Sequence, residues 1–501
     1  MKRYPASLAQ YRPALIFIEC MLIFWGHWWL FHWVSWGELL PGGVDGYYHY
    51  ALASLLSPGN LAQDISFLPY TYMGQNGTDH EWLLHWAQKP FTLLAEDSEY
   101  SIKNAAIAWG ALLPALLNLV YRLARIPFAP VVAVVGVWCL FSLPDRYLMF
   151  RAQNLGLLFV ISCQLLIGHR KYLALAVSVF IFSQAYHGVV LLALVIVSAL
   201  LAQGVISRSV DRKLLVYSAA GLGLALFISP WFPQNIELLV FHLLLINYNP
   251  LGGFQLAGNE WAGLAPGDIL SVTYVGLFCL SGAMVTLWLA RERVVDDYRF
   301  RMALSLTFLA VFSLVLAVLH VRFLDLFGPV SCLAFAASLL LWRDAFRYRS
   351  AIVLGLGLVV SALMVYRLST ARHPELPTVD RYRNHCEYIR AHTEEGETIF
   401  NVAWGAFPQL FNCNPSITFV AGLDGNLLAY GNQDVFSYWY ALNKGLTEQL
   451  DWAAFETLLD SEGIRFLFFN TQQRSSAEHL LRQSRRSEIV VEDGAGILLR
   501  Y

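Results

Sequence analysis

Long apolar runs decide what this chain can fold into. Eleven stretches read as membrane-spanning helices: 14–36, 102–121, 128–143, 153–168, 172–185, 188–206, 214–231, 268–290, 300–319, 323–341 and 351–368. A crossing takes about 20 mostly apolar residues, so the third and fifth, which are short, read as tilted or re-entrant neighbours of the rest. The chain is 57% hydrophobic and only 14% charged, against about 25% charge in a soluble domain, which excludes an ordinary soluble protein. The first run has no small-residue cleavage site and is long enough to span, so it reads as a retained anchor and not a removed signal.

Charge in the connections sets the orientation, because cytoplasmic loops carry the Lys and Arg excess. Lys2, Arg3 and Arg12 place the N-terminus inside. Counting spans from there, the inside connections hold Arg122 and Arg125, then Arg170 and Lys171, then Arg208, Arg212 and Lys213, then Arg291, Arg293, Arg299 and Arg301, and finally Arg343, Arg347 and Arg349. The segment 37–101 is outside and mostly acidic, and 232–267 has Glu237 and Glu260 but no Lys or Arg. The alternation holds at every turn and puts the tail from about residue 369 outside. A net charge of −2 with no basic run gives no reason to expect a nucleic-acid partner.

The tail changes pattern. "ETIFNVAW", "SITFVAGL", "IRFLFF" and "EIVV" have the β-branched and aromatic content of strands. "DWAAFETLLDSEG" reads as a helix capped by Asp451 and stopped by Gly463. The expected fold is therefore mainly α: a polytopic membrane helical bundle over 1–368, with a long first outer loop at 37–101, followed by a soluble extracytoplasmic α/β domain over 369–501. Of seven cysteines, Cys20, Cys139, Cys163, Cys279 and Cys332 fall in apolar runs and read as small hydrophobes. Cys386 and Cys413 lie in the tail, where an oxidising compartment would permit a disulfide between them.

Candidate chemistry gathers on the outer side. The first loop contains "GGVDGYYHYALASLL", in which Asp45 sits between Gly43 and Gly46, glycines that let backbone approach a ligand closely. A carboxylate there can take a proton from a hydroxyl as general base or bind a hard divalent ion. His49 follows as a neighbour and support for Asp45, and the Tyr cluster suits an interfacial aromatic belt. Further on, "GTDHEWLLHW" holds Asp79, His80, Glu81 and His85; if a helix starts near Asp79, Glu81 and His85 fall at i and i+4 on one face. Asp64, Glu96, Asp97 and Glu99 read as solvated loop. Asp145, Arg146, Arg151, Tyr186, His187, His320 and Arg322 lie at the outer ends of spans, with Asp325 a turn deeper. Ionisable residues entering a membrane domain are costly and default to a functional reading, and Arg suits an anionic phosphate. Asn76-Gly77-Thr78 is a sequon that matters only in a glycosylating host.

"VDGYYHYALA" is similar to the Asp-x-Tyr-Tyr-His motif in the first loop of oligosaccharyltransferase catalytic subunits and their bacterial relatives, and "GTDHEWLLHWAQKPF" resembles the Asp-His-x-x-x-x-His segment later in that loop. "SPWFPQNIELLVFH", "NEWAG" and "NVAWGAFPQLFNCNPSITFVAGLDGNLLAY" also have the look of that group. With the span pattern, they make the chain resemble the GT-C superfamily of integral-membrane glycosyltransferases over most of its length. That resemblance implies a sugar or oligosaccharide donor on a polyprenyl phosphate or pyrophosphate, activation of the acceptor by Asp45, and inversion as lipid phosphate leaves. It implies Asp45 and Asp79 as catalytic carboxylates. Arg322, Arg151 and His320 are then the candidates for the donor phosphate. His49, His80, Glu81, His85 and His187 are the substrate-contacting or supporting residues. A divalent metal, Mg or Mn, has Asp45, Asp145 and Glu81 as its candidate ligands.

The Trp-Trp-Asp of the family's sequon readers is missing from the tail, and Asp145 has no second acid beside it. A single-sugar transferase to an envelope glycan, lipid or protein is thus the leading expectation, in an inner (cytoplasmic) membrane with the tail periplasmic or extracellular. Transfer of a whole lipid-linked glycan is the alternative within enzymes. A transporter or flippase is the alternative of another class; broken helices, internal repeats and midplane charge pairs would mark one, whereas the polar residues here gather at the outer face. Beyond a polyprenyl-linked donor and membrane lipid, the sequence names no protein partner.

Overall fold

The computed structural model describes residues 12–34, 44–59, 65–79, 81–94, 100–138, 148–186, 188, 190–241, 263–291, 298–342 and 381–501. By contacts the chain divides into two compact units. The first comprises 1–37, 106–227 and 258–376; the second comprises 38–105, 228–257 and 377–501.

The first unit is helical. Among the described residues, helices occupy ten of the eleven expected runs: Arg12–Val34, Ser101–Leu123 (which begins in the second unit), Ala129–Trp138, Gln153–Gly168, Tyr172–Ala185, Val190–Ser207, Arg212–Phe227, Pro266–Ala290, Tyr298–Leu319 and Leu324–Leu339. The run 351–368 lies outside the described residues. Among the described residues, five helical stretches are long and apolar enough to cross a membrane, and four more are shorter apolar helices. Large side chains stand open on them, among them Trp29 and Leu173 at 72% and Leu22 at 68% exposure. A soluble monomer rarely leaves so much contiguous apolar surface; lipid is its natural solvent, and the chain is an integral membrane protein.

Helices pack closely here through small residues, as is usual in lipid. A Cβ built on Gly276 or Gly282 would come within 2.5 and 2.7 Å of the rings of Phe327 and Phe335, so these glycines make room for the phenyls of Leu324–Leu339. Polar groups in the first helix are satisfied by neighbours: Arg122 donates to both Glu19 oxygens at 2.6 and 2.8 Å, and Trp138 Nε1 donates to His27 Nε2 at 2.9 Å.

The second unit holds a five-stranded sheet of β1 (Thr398–Asn401), β2 (Thr418–Phe419), β3 (Phe466–Asn470), β4 (Glu488–Glu492) and β5 (Gly496–Arg500), ordered β2-β1-β3-β5-β4. β1 pairs in parallel with β2 and β3, while β5 runs antiparallel to β3 and β4. The parallel crossings carry helices, as such connections require. The expected helix is Trp452–Ser461, with the Asp451 side chain accepting from Ala454 N at 3.1 Å, and Gly463 follows at φ 64°. Four of the five strands coincide with the sequence expectation; β5 is additional. Cys386 and Cys413 form a disulfide.

The long first loop belongs to this unit and not to the helical one. Its apolar side chains Tyr48, Leu52, Ile65, Phe67, Leu68 and Met73 share one core with Phe407, Phe411 and Phe419 of the tail. Phe419 N donates to Phe67 O at 2.8 Å, Gln75 Nε2 to Gly431 O at 2.8 Å, and Tyr70 OH to Glu462 at 2.7 Å. Where the sequence put a boundary at 368/369, the contacts gather three separate stretches, because the loop's aromatic residues find their burial against the tail.

Candidate active site

The site grows from two short helices of the first loop. Gly46–Leu55 starts directly after Asp45, whose carboxylate makes no capping hydrogen bond and is partly exposed. His49 stands four residues on, so it falls on the same helical face as Asp45. The second helix, Trp82–Thr92, begins directly after Glu81, and His85 N donates to Glu81 O at 3.2 Å. That start puts Glu81 and His85 one turn apart, as their spacing leads one to expect.

Between the helices four polar side chains are packed away from water: Asp79 is 2%, His85 1%, His49 6% and Glu81 8% exposed. Asp79 Oδ1 accepts from Glu81 N at 2.9 Å and its Oδ2 lies 2.8 Å from His85 Nδ1. His85 Nε2 is 3.0 Å from His49 Nδ1, which is 3.8 Å from Glu81 Oε2. The result is a chain, Asp79–His85–His49–Glu81, that joins residues 36 apart in sequence. Buried polar groups persist mostly when hydrogen bonded; Asp79, His85 and His49 meet at hydrogen-bond distance across the two helices, while Glu81 stands at ion-pair distance from His49.

Electrostatics follow from the packing. Burial pulls the His85 imidazole down, but the charge and hydrogen bond of Asp79, with the charge of Glu81, outweigh it and leave the pKa raised. Tyr48 lies under the cluster, its ring 5.0 Å from that of His49 and 6.2 Å from that of His85. Burial, then the charges of Asp79 and Glu81, push its phenol well above the ordinary value, so it stays protonated. On its other side Tyr48 packs on Phe407 and Phe411 at 6.0 and 6.1 Å, which fixes the helix carrying Asp45 and His49 to the tail core.

No protein-family model matches the sequence, and a search of curated proteins finds no match. Solved structures do match. The archaeal oligosaccharyltransferase AglB from Archaeoglobus fulgidus, in complex with an inhibitory peptide and a dolichol-phosphate, superposes with TM-score 0.60 at 11% identity, covering 94% of this chain and 71% of that one. ArnT from Cupriavidus metallidurans superposes with TM-score 0.56 at 14% identity in the apo state, and 0.51 at 12% bound to undecaprenyl phosphate, each covering 98% of both chains. AglB and ArnT are both GT-C superfamily membrane glycosyltransferases.

The chain shares their fold.

Of the residues singled out in the sequence, the second unit brings together Asp79, Glu81, His85 and His49. The sequence placed Asp45, Asp145 and Glu81 around a metal. Among the described residues, the group whose ligand atoms gather is His49, Glu81 and His85. Asp145, His80 and His187 lie outside the described residues.

Arg151, His320 and Arg322 belong to the helical unit. Arg170, just beyond Gln153–Gly168, and Arg301, at the start of Tyr298–Leu319, line one cavity of about 210 Å3 together with Tyr172 and Asp211. The opposite ends of the same two helices carry Arg151 and His320–Arg322, so these three share one end of the bundle. Gln88 escaped the sequence reading. It is wholly buried, and neither of its amide atoms has a hydrogen-bond partner among the described residues. It lies three residues after His85 and seven after Glu81, on the same helical face, a spacing that was there to be read. Lys103 was also missed; it is 6% exposed beside Ile102, which packs against Tyr47.

Proposed function

We propose that this protein is a lipid-linked-sugar glycosyltransferase acting on the outer face of the cytoplasmic membrane, with its N-terminus inside and its tail outside. The observation that carries the reading is the buried Asp79–His85–His49–Glu81 network one helical turn from Asp45, in a chain with the GT-C fold. The neighbours ligated by dolichol-phosphate and undecaprenyl phosphate support a polyprenyl donor here.

In this mechanism Asp45 accepts the proton of the acceptor nucleophile. The nucleophile attacks the anomeric carbon, the bond to the phosphate oxygen breaks, and that oxygen leaves with the electron pair, inverting the centre. Asp45 suits the role because the residue is partly exposed and stands one turn before His49 of the network; a base needs access to the proton it takes. Asp79 has both oxygens engaged and is nearly solvent-free, so its part is to hold His85. Cationic side chains stabilise a departing phosphate electrostatically, and Arg322, Arg151 and His320 are the sequence's candidates for that part. With no Trp-Trp-Asp in the tail, the acceptor is an envelope glycan, lipid or protein receiving a single sugar.

The test is donor consumption by purified protein in proteoliposomes, given labelled sugars on polyprenyl phosphate or pyrophosphate. Time- and protein-dependent release of the free lipid phosphate is the expected outcome. No consumption of any such donor, with envelope extract supplied as acceptor, refutes the proposal.

A further inference from the structure

We propose that His49, Glu81 and His85 form a binding site for a transition-metal dication of the zinc class, with Asp79 bracing His85 from behind. The inference stands on this geometry and does not depend on the transferase reading.

The spacing suits a shared ion. Nitrogens about 2.0–2.1 Å from zinc stand about 3.0–3.4 Å apart when they subtend the angles of a tetrahedral or square arrangement; His49 Nδ1 and His85 Nε2 are 3.0 Å apart. Glu81 Oε2 lies 3.8 Å from His49 Nδ1, and one ligand atom from each of the three residues falls within 4.8 Å of the other two. All three side chains are buried, and burial of carboxylates and imidazoles together is stabilised by a dication among them.

The outer contacts are those of a metal site. A ligating His usually gives its other ring N–H to a carboxylate, which fixes the tautomer and aims the free lone pair. Asp79 Oδ2 meets His85 Nδ1 at 2.8 Å, which leaves His85 Nε2 facing His49. Asp79 is in turn fixed by the backbone N–H of Glu81 at 2.9 Å. Independently, Gln88 has both amide atoms buried and without partners among the described residues, on the same helical face as Glu81 and His85. A polar group so placed is suited to a water or ligand at an open coordination position, and three protein ligands leave such a position.

The donor types select the ion. Two imidazoles and one carboxylate suit Zn, Co, Fe(II) or Mn, whereas Mg and Ca prefer all-oxygen sets. This departs from the expectation of Mg on Asp45, Asp145 and Glu81.

The experiment uses full-length protein in detergent, freed of any polyhistidine tag, stripped with chelator and reloaded with Zn(II) alone or Co(II) alone. Elemental analysis after gel filtration is expected to show about one equivalent of zinc, and the cobalt form visible bands of a four- or five-coordinate ion. Glu81→Gln, nearly isosteric, and His49→Gln are expected to lose the equivalent and the bands. Asp79→Asn is expected to weaken binding by about 10- to 100-fold. Should His49→Gln fail to fold, Glu81→Gln decides alone. No retained zinc or cobalt in the wild type, or equal retention in Glu81→Gln and His49→Gln, overturns the site. Sugar transfer is not read here, so failure of the transferase reading cannot be confused with failure of the metal site.

Discussion

Phe411→Ala tests the claim that the first outer loop folds as part of the tail. Phe411 is wholly buried, and its ring meets Phe67 at 4.2 Å, Phe407 at 5.5 Å, Tyr48 at 6.1 Å and Phe419 at 6.5 Å. Two of those partners come from the loop and two from the tail, so truncation opens a cavity that both must share. Phe→Ala in a closed core costs about 3–5 kcal/mol. At about 1.4 kcal/mol per tenfold, the opening equilibrium of the unit rises by roughly two to three and a half powers of ten. Hydrogen exchange in detergent reads this directly: amides of Gly46–Leu55 and of β1 and β3 should lose protection together, while those of Gln153–Gly168, in the helical unit, serve as an internal reference. If the strands exchange faster and Gly46–Leu55 does not, the loop is not held by this core and the reasoning fails.

Asp424 carries a pH dependence. Burial, opposed by the hydrogen bond from Asn426 N–H, raises its carboxyl to about 6, above the unfolded value near 3.9. A raised folded pKa contributes stability that is complete below about pH 4 and is lost as pH rises through about 6. Tail stability should therefore decline over that window, and Asp424→Asn, which keeps an oxygen to cap Asn426 N, should remove the decline and gain at most about 3 kcal/mol at pH 7; a variant less stable than wild type at pH 7 contradicts this. Removing the Cys386–Cys413 bond by a double Ala substitution releases a loop of 27 residues' separation, which loop entropy values at about 3–4 kcal/mol. Chemical denaturation of the tail should show that loss, and an unchanged midpoint would assign the bridge no stabilising role.

Local features were legible in the sequence, and distant pairings were not. Hydropathy placed ten helices because lipid demands long apolar runs whatever their neighbours. Asp451 and Gly463 marked a helix through capping chemistry that acts within a few residues. Glu81 and His85 could be paired because helical spacing is local. His49 and His85 could not, since 36 residues separate them and no periodicity records which helix will lie alongside. The same reason hid the burial of Tyr48 and Phe67 against Phe407 and Phe411, and so the unit that the loop shares with the tail. β5 was missed because Gly496–Arg500 is a short run directly after a turn, and its strand character comes from pairing with β3 and β4.

The role of Asp45 is most directly tested by single-turnover transfer with the Asp45→Asn variant. Asparagine keeps the shape and start of the helix Gly46–Leu55 but cannot accept a proton. With donor binding held at the wild-type level, transfer of labelled sugar from the polyprenyl phosphate should slow by about 10²–10⁴-fold. Transfer at the wild-type rate with Asn at position 45 would contradict the assignment of Asp45 as the base.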